Sequence, residues 1–125
     1  MHKGFVKSFL AGEKDIELRT RVPKALRPGD IVLVAQSGTH NRVVMQMTVL
    51  SIIKLSPKEM YRMHGMGIHL DYVDYAHYTI GREWVYGIRV KDVAKLEGEL
   101  HTSDFGINKA PQWFREVKKG HKYIK

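Results

Sequence analysis

Apolar residues recur along the chain with two different periods. Between Lys3 and Leu10, the residues Phe5, Val6, Phe9 and Leu10 fall at i, i+1, i+4 and i+5, one face of a short helix. Gly12 stands where a left-handed glycine would end it. Over residues 15–20 the period drops to two. Ile16 and Leu18 point one way and Asp15, Glu17 and Arg19 the other, as in a half-buried strand. Strict alternation gives Lys14 the parity of Ile16 and Leu18, toward the core, unless it sits before the strand proper, where parity does not yet apply. A basic connector, residues 21–27, leads into the turn Arg27-Pro28-Gly29-Asp30. Ile31–Ala35 is apolar on both parities, which predicts a central strand covered on both sides. After a polar loop, the β-branched residues Val43, Val44, Thr48, Val49, Ile52 and Ile53 predict a long strand over residues 42–54.

Ser56-Pro57-Lys58-Glu59 is a capping box with proline at the first helical position. It predicts a helix over residues 57–64 that Gly65 and Gly67 end. Residues 68–77 fit either a second short helix or an ordered loop packing Tyr72, Tyr75 and Tyr78. Residues 83–95 form the last clear strand, with Trp84, Tyr86, Ile88 and Val90 on one parity and Gly87 marking a bulge or a close backbone approach. Pro111 opens a predicted short helix through Val117, and a lysine-rich tail follows over residues 118–125, its flexibility left open. Four β segments with short helices between them do not make a βαβ series. The expectation is a single domain over residues 1–125, of the α+β class: a small, partly closed, mixed β-barrel flanked by short helices.

Composition narrows the function classes. The 125 residues include no cysteine, which excludes disulfides, thiolate zinc sites and cysteine catalysis. No apolar run approaches the ~20 residues of a membrane span, and the N-terminus lacks a signal-peptide pattern. A cytoplasmic protein with no membrane partner is therefore expected. The net charge of +8 is unevenly spread: +3 over residues 1–30, zero over 31–108 and +5 over 109–125. Two basic ends that meet in a small fold would attract a phosphate backbone, although a solubilising surface has the same composition.

The candidate chemistry is concentrated in a few places. Lys14 beside a carboxylate can anchor phosphate, or act as a base if burial lowers its pKa. Arg19 offers a planar fork for phosphate or a base edge, with Arg21 just beyond it. Glu17 and Arg19 could equally form a surface ion pair. The loop residues Gln36, Ser37, Gly38 and Thr39 carry backbone NH groups and hydroxyls suited to a base or a phosphate, and an ordinary hairpin loop uses the same residues. Trp84, Tyr86 and Trp113, the last flanked by Gln112, could stack a base or fill a core. His64, His69, Asp71, Asp74 and His77 crowd one segment, but their spacing fits no compact zinc pattern, so neither metal nor cofactor is expected.

Gly12-x-Lys14-x-x-Glu17-x-Arg19 resembles the G-x-K-x-x-E-x-R signature of the ASCH domain, a branch of the PUA-like superfamily. Pro28-Gly29-Asp30 before Ile31–Ala35, Trp84-x-Tyr86-x-Ile88 with Asp92-Val93, and Pro111-Gln112-Trp113-Phe114 resemble later blocks of that family in the same order. The resemblance implies a PUA-like barrel with a basic cleft beside the signature, and RNA or a modified nucleotide as the ligand. In that picture Lys14, Glu17, Arg19, Arg21, the Gln36–Thr39 loop, Tyr86, Gln112 and Trp113 would contact it. Some related members are hydrolases that remove the acyl group from N4-acetylcytidine, and nuclease activity is reported in the wider family. If this chain were an enzyme, the resemblance would make Lys14 and Glu17 the acid/base pair. Those amidohydrolases, however, carry a threonine nucleophile where Glu17 stands here, and an acid on the long strand near the position of Thr48. The departure argues for recognition over acyl transfer.

Overall fold

The computed structural model describes residues 1–39, 42–98, 101, 104, 115–116 and 123–124. Along the chain run α1 (Lys3–Leu10), β1 (Ile16–Arg19), β2 (Ile31–Ala35), β3 (Val43–Leu55), α2 (Pro57–Ile68), α3 (Tyr72–Thr79), β4 (Val85–Lys95), β5 (Arg115–Glu116) and β6 (Tyr123–Ile124). The strands form one sheet in the order β1-β4-β3-β2-β6-β5. Neighbours are antiparallel except β2 and β6, which run parallel. The first four strands curl into a half-barrel, so the α+β class expected from the sequence holds. Among the described residues, no helix is long and apolar enough to cross a membrane.

Local chemistry sets the element ends. The His2 side chain caps α1 by accepting from the Gly4 NH, and Gly12 at φ 78° follows the helix in the left-handed region. Ser56 accepts from the Glu59 NH at 3.3 Å, completing the first half of the predicted capping box. Two expectations need correction. Gly65 and Gly67 do not end α2, which continues to Ile68 and stops at His69, itself left-handed at φ 55°. Gly67 stays inside because β1 crosses there: a Cβ would lie 3.2 Å from Ile16 Cδ1, and the Asp15 NH donates to the Gly67 carbonyl at 3.0 Å. Residues 72–79 form a helix, α3, capped by the Asp71 carboxylate on the Asp74 NH. The second correction concerns the helix predicted from Pro111 through Val117. Arg115–Glu116 are strand β5, drawn into the sheet by β6; the rest of that segment lies outside the described residues. Tyr123–Ile124 of the lysine-rich tail pair with Val32–Leu33.

Two apolar clusters cover opposite faces of the sheet. On one, Val6 and Phe9 of α1 pack against Leu26, Val32, Val34, Met45, Met47, Val49, Ile88 and Val90. On the other, Met60, Ile68 and Tyr75 from α2 and α3 pack against Ile16, Leu18 and Val85. Strand β3 serves both faces by changing parity. Val43, Met45, Met47 and Val49 are buried alternately, and the register against β4 then slips between Val49 and Ser51. That bulge admits one extra residue, Leu50, and flips every later side chain to the other face. Ile52 thereby joins the α1 face and Ile53 the α2/α3 face.

Candidate nucleic-acid interface

The site grows from β1. Ile16 and Leu18 are buried in the α2/α3 cluster, so Glu17 and Arg19 take the α1 face. Glu17 lies opposite Ile88 and Arg19 opposite Tyr86 on β4; Ile88 and Tyr86 in turn face Ile52 and Lys54 on β3. Directly opposed residues share a face. Arg19, Tyr86 and Lys54 therefore form a row across three strands at one end of the half-barrel, with Glu17 two positions inward. Lys54 Nζ sits 5.4 Å from the centroid of the Trp84 ring, which is 46% exposed. Tyr78 reaches over from α3, its hydroxyl 3.5 Å from the Leu18 carbonyl. Burial holds the Arg19 guanidinium below its ordinary pKa, and the neighbouring Tyr78 works against that shift.

Lys14 goes elsewhere. As its parity predicts, it is buried, 3% exposed. Its ammonium donates to the Ile68 carbonyl at the end of α2 and lies 5.1 and 5.5 Å from the ring centroids of Phe5 and Phe9 on α1. These ring faces and the carbonyl replace only part of its hydration. Desolvation pulls its pKa from 10.5 to about 8, and the charge that opposes this is Asp15.

The remaining expected residues are dispersed. Arg21 is exposed on the connector. The Gln36–Thr39 loop joins β2 to the first residues of β3, at the far end of that strand from Lys54. Its own polar groups are engaged: Thr39 Oγ1 donates to the Gln36 carbonyl at 2.6 Å, the Gln36 NH to Arg42 O at 3.0 Å and the Ser37 NH to Met1 O at 2.8 Å. Gln112 and Trp113 lie outside the described residues. Lys54 and Tyr78 are the additions. Lys54 escaped sequence reasoning because alternation counted from Val43 puts it on the wrong face. The signal for the flip was present in Val49, Ile52 and Ile53, which cannot all fit one period of two.

The model of the ASCH domain family matches residues 1–97. The chain belongs to the ASCH domain family. Its fold is similar to that of crystal structures of ASCH from Zymomonas mobilis. The unmodified protein superposes with a TM-score of 0.80 at 16% identity, covering 90% of this chain and 80% of that one. Variants of it with a single Tyr-to-Phe or Ser-to-Ala substitution give the same TM-score and identity, covering 83% and 81% of their chains. At that identity the likeness is one of fold. No curated protein sequence matches this ASCH domain.

Proposed function

We propose that this ASCH domain binds RNA, or a nucleotide-like ligand, at the end of the half-barrel marked by Arg19, Tyr86, Lys54 and Trp84. The observation that carries this reading is the cross-strand row itself, in which the Tyr86 ring stands between two cations on one face, with the Trp84 ring beside Lys54. Arg19 and Lys54 would neutralise phosphates, and Trp84 and Tyr86 would stack bases, the combination by which single strands are held. Glu17, two positions inward and buried at 7% exposure, would meet a base only at the floor of the row. The excess positive charge of the two chain ends would steer the ligand in. The test is a salt titration of single-stranded RNA binding by the native chain and by Arg19→Ala and Lys54→Ala. Each substitution should weaken binding and flatten the dependence on salt. Affinity indifferent to salt and to both changes would remove the proposal.

A second reading, a hydrolase of an acylated nucleoside or of RNA, draws support from the lowered pKa of Lys14, about 8. A lysine partly neutral near physiological pH can shuttle a proton, and Glu17 could activate a water. Incubation with N4-acylcytidine and with RNA decides it: turnover abolished by Glu17→Gln favours the enzyme, and binding without turnover favours recognition alone.

A further inference from the structure

On the opposite face of the sheet, α2 and α3 leave a cavity of about 590 Å³ between them, within the size range of small-ligand sites. Tyr61, Tyr72 and Tyr75 line it. Tyr61 meets Tyr72 edge-on at 5.3 Å and lies against Tyr75 at 4.7 Å. The hydroxyls of the floor are already committed. Tyr75 donates to the Pro57 carbonyl at 2.5 Å and Thr79 to the Tyr75 carbonyl at 2.9 Å. The floor therefore presents ring and methyl carbon, against which a flat ring packs well. Among the described residues the lining charges are one-sided: Lys58 and Arg62 line the cavity and no carboxylate does. Glu59 accepts from the Arg62 guanidinium at Nε, 3.2 Å, and Nη2, 2.5 Å, partly neutralising that cation, while Lys58 is exposed at the mouth. A larger neighbouring cavity, about 880 Å³, mixes Arg62, Arg89 and His64 with Asp15 and Asp71 and shows no such preference of sign.

We propose that the α2–α3 cavity binds a planar aromatic ring carrying an anionic group, of the kind presented by a nucleoside monophosphate or an aromatic carboxylate. The ring enters among the three tyrosines, with Tyr72, 64% exposed, as its outer wall, and the anion stays at the mouth with Lys58. This site rests on no part of the RNA reading, because the residues of the row lie on the other face.

The experiment is an amide-resolved NMR titration with AMP, indole-3-acetate, adenosine and inorganic phosphate. AMP or indole-3-acetate should shift α2 and α3 amides saturably, and the tighter of the two identifies the source of the ring. Adenosine and phosphate, each lacking one half of the recognised chemistry, should bind about tenfold more weakly or worse. Tyr72→Ala should cost about tenfold in affinity, the worth of one stacked ring, and Lys58→Glu several-fold. Both side chains are exposed, so thermal melting should be unaltered. Arg19→Ala and Trp84→Ala should leave these affinities unchanged. Shifts mapping away from α2 and α3, phosphate alone reproducing them, adenosine binding as tightly as AMP, or affinity indifferent to Tyr72→Ala and Lys58→Glu would each overturn the proposal.

Discussion

Arg19 on β1 and Tyr86 on β4 stand directly opposite each other, on the sheet face that also carries Lys54. Their opposition separates charge from shape in the proposed RNA site. Arg19→Lys keeps the charge but loses the planar fork. It should weaken single-stranded RNA binding while leaving the salt slope intact, whereas Arg19→Ala lowers both. Trp84→Ala should cost about 1–3 kcal/mol without touching the slope, because stacking releases no counterions. Filter binding at three or four salt concentrations reads all three.

Lys14 makes stability depend on pH in a direction opposite to that of an ion-paired lysine. Its folded pKa of about 8 lies below the ordinary 10.5, so the unfolded chain holds the proton more tightly. Below pH 8 both states are protonated and the cost of burying the charge is fully felt. As pH rises from 8 to 10.5 the native state sheds the proton first, and stability should increase, by an amount on the order of 3 kcal/mol at most. Lys14→Met should remove that rise. Denaturant midpoints of the native chain and the variant across this window give the difference directly.

Tyr75 supplies the contrary slope at higher pH. Burial raises its phenol from 10 to about 12, so its contribution is complete below pH 10 and is lost as pH climbs toward 12. Tyr75→Phe should abolish that loss and, by removing the donor to the Pro57 carbonyl, cost about 1 kcal/mol at neutral pH. Urea unfolding at pH 7 and at pH 11 measures both effects.

Gly87 is closely packed by side chains from α2 and β1. A Cβ there would lie 3.1 Å from Met60 Sδ and 3.2 Å from Ile16 Cγ2. Gly87→Ala should therefore destabilise by about 1–3 kcal/mol, with valine worse. Trimming Met60 in the same chain should return part of the loss, an interaction that a double-mutant cycle of unfolding free energies will show.

The physical origin of each feature explains what the sequence could reveal. Elements written in a local period were legible: α1 with its terminating glycine, β1, the doubly apolar β2, and the start of α2 with its cap. The burial of Lys14 agrees with one of the two readings its position allows. Gly87, read as a bulge or a close backbone approach, instead pairs regularly and is approached by the side chains of Met60 and Ile16. Gly67 misled because a helical glycine that admits a crossing strand looks, in one dimension, like a terminator, and Gly65 is an ordinary helical position packed near Tyr61. β5 and β6 have two residues each, too few to carry a period, and their pairing comes from partners distant in the chain. Lys54 was hidden by the bulge at Leu50. A one-residue excess is invisible to any reading that counts by twos, yet it places this cation beside Tyr86.

The strand order carries a consequence for how the molecule comes into being. Among the described strands β1 pairs with β4, after β2, β3, α2 and α3 have intervened. While β2 and β3 can zip as a hairpin during synthesis, Glu17 and Arg19 must wait on an unpaired strand until Tyr86 and Ile88 arrive. Closing so large a loop is favourable only once the rest of the sheet is there to receive it. A growing chain halted before β4 would carry every residue of the signature but not the register that sets Arg19 against Tyr86.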